Sequence, residues 1–90
     1  RRKVYVGKVV NFYRKLSVAE VPVEAAPVAA GDEIFFTGPT TGVAEQRVEA
    51  LHVGDEGRPA QQAVQGELCS VRTPEAVRRG DKLYKMEAAE

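Results

Sequence analysis

The sequence predicts an all-β fold, and three features carry that prediction. Runs rich in Val, Tyr, Phe, Ile and Thr follow one another, separated by turns of Gly, Pro and Asp. No stretch holds a helical period beyond a single turn. A chain of 90 residues makes one domain, buries only about 60–65% of its unfolded surface, and hides its strand edges most economically in a closed barrel. A single domain over residues 1–90, with its core in about 4–86, is therefore expected.

Residues 3–13 read as a long first strand. Its alternation breaks at Val9-Val10 and Phe12-Tyr13, the mark of a strand that bends or bulges as it changes neighbours. Residues 18–24 return, and Pro22, which has no amide hydrogen to give, belongs at an unpaired edge or a bulge. Residues 25–30 are a connector, 33–37 a short buried strand, and 38–42 a turn. The next strand spans 43–53, with Val48 and Ala50 as the inward pair; its end alternates poorly, which leaves the facing of Leu51 and His52 open. After a loop at 54–59 comes one helical turn at 60–63, then a strand at 66–71 with Cys69 and Val71 on its core face. Thr73 before Pro74 is the pattern of a capped helical start, so a second short turn is expected at 73–77. Residues 82–86 are the last strand.

One local pattern occurs twice. Gly31-Asp32-Glu33-Ile34-Phe35 and Gly80-Asp81-Lys82-Leu83-Tyr84 share the order Gly, Asp, charged, aliphatic, aromatic. In each, Gly can adopt positive φ and Asp can bond the backbone beyond it, launching a strand. Two copies read as equivalent turns of one barrel rather than a repeat array.

The charge total hides a segregation. Thirteen Lys and Arg balance thirteen Asp and Glu, which argues against a clamp that holds nucleic acid by bulk charge. Yet residues 1–15 carry Arg1, Arg2, Lys3, Lys8, Arg14 and Lys15 and no acid, whereas residues 16–57 carry eight acids against Arg47 alone. Complementary pairing between neighbouring strands is the ordinary outcome of such blocks. The sharper reading is a basic patch: Lys3, Lys8, Arg14 and Lys15 flank Tyr5, Phe12 and Tyr13, and stacking beside phosphate contacts is how open β surfaces hold single-stranded nucleic acid. Arg78, Arg79, Lys82 and Lys85 extend that patch if the terminal strands are neighbours.

Catalytic chemistry has little material. His52 is the only imidazole and reads as a rim histidine, because catalysis would require a nucleophile or an orienting carboxylate beside it. Cys69 is the only thiol, so no internal disulfide forms, and mid-strand it reads as a small apolar core residue. With one His and one Cys, no structural zinc site can be assembled. Asp32-Glu33 and Asp55-Glu56 read as turn acids rather than a cation site. No catalytic residue, metal ligand or cofactor is assigned. No apolar run approaches the roughly 20 residues of a membrane span and no signal pattern opens the chain, so a cytoplasmic protein without a membrane partner is expected. The start at Arg1-Arg2, without Met, points to a piece of a larger parent.

The two Gly-Asp launches belong to a longer order: Val6-Gly7-Lys8-Val9, Leu16-Ser17-Val18-Ala19, Gly38-Pro39-Thr40-Thr41, Arg47-Val48-Glu49 and Val77-Arg78-Arg79-Gly80-Asp81. That order resembles the second-domain β-barrel of translational GTPases such as elongation factor Tu. It is similar also to small translation-factor-like proteins built from the barrel alone, and to the C-terminal domain of collagenase-like peptidases. The resemblance spans nearly the whole chain and implies a six- or seven-stranded, Greek-key-like closed barrel of the translation-factor type. In that family a Glu following Val on a central strand can meet the terminal adenine of tRNA, and the matching residue here is Glu49. No Gly-x-x-x-x-Gly-Lys-Ser/Thr loop occurs, so the GTPase engine and its nucleotide are absent, and no peptidase catalytic set is present.

The expectation is a non-catalytic binding module that contacts RNA, the ribosome or a protein partner. Its expected contact residues are Lys3, Lys8, Tyr13, Arg14, Lys15, Glu49, Arg78 and Arg79. The alternative is an accessory docking domain of a collagenase-like peptidase or a related larger enzyme.

Overall fold

The computed structural model describes residues 2–88, and every regular element in them is a strand. In chain order these are β1 (Arg2–Lys8), β2 (Asn11–Tyr13), β3 (Val18–Pro22), β4 (Val28–Ala29), β5 (Glu33–Gly38) and β6 (Gly42–Arg47). They continue with β7 (Leu51–Val53), β8 (Arg58–Ala60), β9 (Gln62–Ala63), β10 (Leu68–Arg72) and β11 (Lys82–Glu87). Among the described residues they form one sheet ordered β1-β11-β5-β6, a second ordered β2-β3-β10-β7-β8, and the small pair β4-β9. All pairings are antiparallel.

The expected long first strand changes neighbours as its broken alternation implies. β1 pairs with β11, its register shifts between Tyr5 and Gly7, and β2 pairs with β3. Across the bend, Val9 N donates to Asp81 O and Val10 N to Glu20 O, so one chain segment stitches the two large sheets together. Gly7 is required by space at this crossing: a Cβ there would overlap the carbonyl oxygen of Pro22. Pro22 falls between the Val10–Glu20 bond and the bond from Glu24 N to Val6 O, opposite the bulge. That is the placement its missing amide hydrogen demands.

The core is one cluster between the large sheets. It is aliphatic apart from Cys69 and Phe36, and it joins Val6, Val21, Ile34, Val48, Leu51, Val53, Val71 and Leu83, with Phe12 and Ala60 packed against it. The pleat decides membership: Ile34 and Phe36 on β5 and Leu83 on β11 point inward, which leaves Phe35, Lys82 and Tyr84 on the outside.

The two Gly-Asp launches make the same bonds to the backbone. Gly31 and Gly80 both take positive φ, at 93° and 88°. Asp32 Oδ2 accepts from Ala29 N, as Asp81 Oδ2 accepts from Arg78 N, each at 2.9 Å. Gly31 N and Asp32 O bond both sides of Val48, as Gly80 N and Asp81 O bond both sides of Val9. The carboxylates therefore close the turn behind them, where the sequence suggested bonding to the backbone ahead.

Four expectations are corrected. The ladders do not run round a closed barrel of six or seven strands; the chain makes shorter strands in three separate sheets. Closure stops because the free side of β1 meets the irregular segment 24–26, bounded by Pro22 and Pro27, and β6 reaches the second sheet through Gln46 Nε2 donating to Arg72 O. The strand expected over 43–53 is broken at 48–50, with β6 in one sheet and β7 in the other; Val48 is buried there but Ala50 is exposed. Neither short helical turn exists: 60–63 is extended into β8 and β9, and Thr73 gives its amide to Ser17 O and buries its hydroxyl instead of capping.

Candidate binding face

The outer face of the β1-β11-β5-β6 sheet is built by the side chains that the pleat rejects from the core. Register places Tyr5 opposite Tyr84, Tyr84 opposite Phe35, and Phe35 opposite Glu45, one row across four strands. The three rings are half-buried by one another. Phe35 and Tyr84 stack with centroids 5.2 Å apart and planes at 16°, and Tyr5 meets Tyr84 edge-on at 5.7 Å. Lys3 Nζ lies 4.8 Å from the centre of the Tyr84 ring, a cation–π contact. Beyond Phe35 a shallow groove opens, lined by Lys3, Val43, Glu45, Arg47 and Met86.

Tyr5 is tied at its far end, its hydroxyl donating to Glu24 Oε1 at 3.2 Å. Burial, then the bond and charge of Glu24, push that phenol above its ordinary range.

A basic cluster lies alongside the row, two residues further along β11 toward the turn that precedes it. Lys8 faces Lys82 directly across β1 and β11, so two cations share one cross-strand position. The turn before β11 adds Arg78 and Arg79, both exposed. Arg79 is held over the bend, Nε donating to Val10 O at 2.9 Å and Nη2 to Asn11 Oδ1 at 3.4 Å. The acid of that turn, Asp81, is buried and committed to Arg78 N and the Thr41 hydroxyl. It leaves so little room that a Cβ at Gly38 would overlap it.

The expected contact residues divide between places. Lys3, Lys8, Arg78 and Arg79 gather on or beside this face, because β1 and β11 are neighbours. Lys85 does not join them: it lies mostly covered and pairs with Glu87 at 3.2 Å. Arg14 and Lys15 sit exposed in the β2–β3 turn, on the other sheet. Tyr13 is on β2, its hydroxyl donating to Glu20 at 3.2 Å; that bond raises the phenol pKa, with desolvation and the Glu20 charge adding to it. Glu49 is exposed in the 48–50 connection, beside a second groove with Ser17, His52, Arg72 and Pro74, and is not on a strand. Arg1 lies outside the described residues.

Sequence reasoning did not assemble Phe35 and Tyr84 into a site. A signal was present: they end the two copies of the Gly-Asp pattern, and the antiparallel register of β5 and β11 sets this one equivalent pair side by side.

The remaining chemistry candidates stay apart from this face. His52 is exposed on β7, opposite Ser70 on one side and Pro59 on the other. Cys69 is buried, and desolvation, with a smaller push from Glu67, raises its thiol to about 12, so it stays protonated and unreactive at neutral pH. Among the described residues no group of three or more His, Cys, Asp and Glu is placed to hold a metal ion.

The fold is shared with the C-terminal domain of a putative U32 peptidase from Geobacillus thermoleovorans. Its crystal structure matches with a TM-score of 0.84 at 18% identity over 92% of each chain, and the selenomethionine form with 0.82 at 17% identity over 89% of this chain and 96% of that one. By sequence, the chain is similar to a segment of a collagenase of Porphyromonas gingivalis (strain ATCC BAA-308 / W83), 41% identical over 90 residues, which are all of this chain and 21% of that protein. It is also 37% identical over 83 residues to an uncharacterized protease of Methanocaldococcus jannaschii, covering 92% of this chain and 20% of that one. The chain spans about a fifth of the length of the curated relatives it matches. No protein-family model matches it. These likenesses do not bear out the translation-factor reading; of the two sequence readings they favour the peptidase one.

Proposed function

We propose that this chain is a non-catalytic accessory domain of a larger collagenase-like U32 peptidase, and that it serves its parent as a docking module. The observation that carries this reading is the likeness along the whole chain to one fifth of a collagenase. The placement of side chains agrees with it. His52 and Cys69 sit on different sides of the second sheet, one exposed and one buried, so they do not form a nucleophile–base pair.

The test is a graft. The matching segment of the Porphyromonas gingivalis collagenase is deleted, and this chain is joined in its place. Gelatin hydrolysis should fall on deletion and return on grafting, while the chain alone cleaves nothing. Hydrolysis by the isolated chain, or a deletion without effect, overturns the proposal.

A further inference from the structure

We propose that the outer face of the β1-β11-β5-β6 sheet binds single-stranded RNA, its bases stacking on the Tyr5–Tyr84–Phe35 row and its phosphates held by Lys8, Lys82, Arg78 and Arg79. The inference stands on the chemistry of the face and does not depend on the accessory-domain reading.

Three observations converge. First, the rings lie on the open side of an antiparallel sheet while the core fills with aliphatic side chains. Half-exposed aromatic side chains on an open sheet are a sequence-tolerant surface for unpaired bases. Phe35, the last ring of the row, borders the groove that Val43, Arg47 and Met86 share. A base entering there stacks on Phe35 with the Arg47 guanidinium beside it.

Second, Lys8 opposite Lys82 is a like-charge pair that ordinarily weakens a sheet. Neither lysine has an ion pair among the described residues, and the acid of the adjoining turn is consumed inside the protein. Arg79 is already oriented by two bonds to the bend, which leaves the rest of its five N–H donors for a ligand. Four cations alongside an aromatic row are complementary to a phosphate chain that carries bases. An acidic peptide would match the charge and leave the rings unused.

Third, Glu45 ends the row on β6, directly opposite Phe35. A carboxylate there repels phosphate but accepts hydrogen bonds from base amino groups and from the ribose 2′-hydroxyl. The face thus offers cations for the backbone alongside the row and an acceptor for base and sugar at its β6 end. The acceptor for the 2′-hydroxyl favours RNA over DNA.

The experiment is fluorescence anisotropy with a labelled oligoadenylate of about 12 nucleotides, a length within the usual range for such platforms. The intact chain should bind at micromolar concentration, and affinity should fall with salt along a log–log slope of about 0.7 per phosphate contact. Lys8→Gln and Lys82→Gln should each weaken binding several-fold and lower that slope by about 0.7. Phe35→Leu and Tyr84→Leu keep apolar bulk and remove a ring; each should weaken binding roughly tenfold, the size of one lost base–aromatic stack, and leave the slope unchanged. Unchanged melting curves for the lysine variants confirm that the fold is intact, so the charge arm stands even if a ring variant unfolds. Absence of salt-sensitive binding overturns the proposal, as does equal affinity for a duplex or for the deoxy oligomer. If the variants bind RNA normally but fail in the graft, the face docks the peptidase instead, and this inference falls while the accessory-domain reading survives.

Discussion

Asp32 and Asp81 make the same turn but not the same contribution. Asp32 is half-exposed and bonds one backbone amide, whereas Asp81 is 2% exposed and bonds Arg78 N and the Thr41 hydroxyl. Removing a buried acceptor strands its donors, so Asp81→Ala should cost about 2–3 kcal/mol and Asp32→Ala about 1 kcal/mol. Urea unfolding measures both; equal losses would show that the buried bonds add nothing. Gly7→Ala, with its Cβ driven into the Pro22 carbonyl, should cost about 1–3 kcal/mol in the same assay. Cys69 sets a pH dependence. Its thiol ionises at the usual 9.0 when unfolded and at about 12 in the fold, so the unfolded state loses its proton first as pH rises. Stability is therefore level below about pH 9 and falls above it, by up to about 1.4 kcal/mol per pH unit. The raised phenols of Tyr5 and Tyr13 act in the same direction from about pH 10. Cys69→Ala should flatten the profile between about pH 9 and 10, measured by urea unfolding across that range. Local features such as the buried thiol and the paired Gly-Asp turns were legible in the sequence because a few neighbouring residues determine them.

Among the elements, legibility depended on whether a strand kept one set of neighbours. Residues 3–13 announced their own bend through Val9-Val10, and the bend is there. Residues 43–53 gave a weaker warning, the poor alternation of their end. They read as one strand, although the break at 48–50 is imposed from outside, by Gly31 and Asp32 bonding both sides of Val48. The helical turn at 73–77 failed for a related reason: Thr73 has a cap's composition, but Ser17 O takes its amide. The sheet register also makes a prediction of its own. Lys8→Glu converts the like-charge pair with Lys82 into an opposite one, so it should stabilise the fold by about 0.2–1 kcal/mol while abolishing RNA binding. A rise in melting temperature together with lost anisotropy is the expected pair of results. A rise with binding retained would show that these cations serve no ligand.

At the scale of the whole molecule, the balance of thirteen against thirteen describes no actual surface. The N-terminal basic block divides, Lys3 and Lys8 going to the aromatic face while Arg14 and Lys15 go to the second sheet. The repeated Gly-Asp pattern marks Phe35 and Tyr84 as equivalents, but that Tyr5 joins them was out of reach of sequence reasoning because the row is assembled from the first, fifth and last strands. The same pairing of first and last strands has a further consequence. Arg2 is the cross-strand partner of Glu87, their side chains 3.6 Å apart, and neighbouring strands run only about 4.7–4.9 Å from one another. A short Gly-rich linker can therefore join those ends, with new termini opened in the turn at 54–57 between β7 and β8. Such a circular permutant should keep its melting temperature within a few degrees, since no ladder is cut. Because the outer ends of β1 and β11 lie side by side, the domain can be grafted as a cassette into a host's loop without prying the host apart.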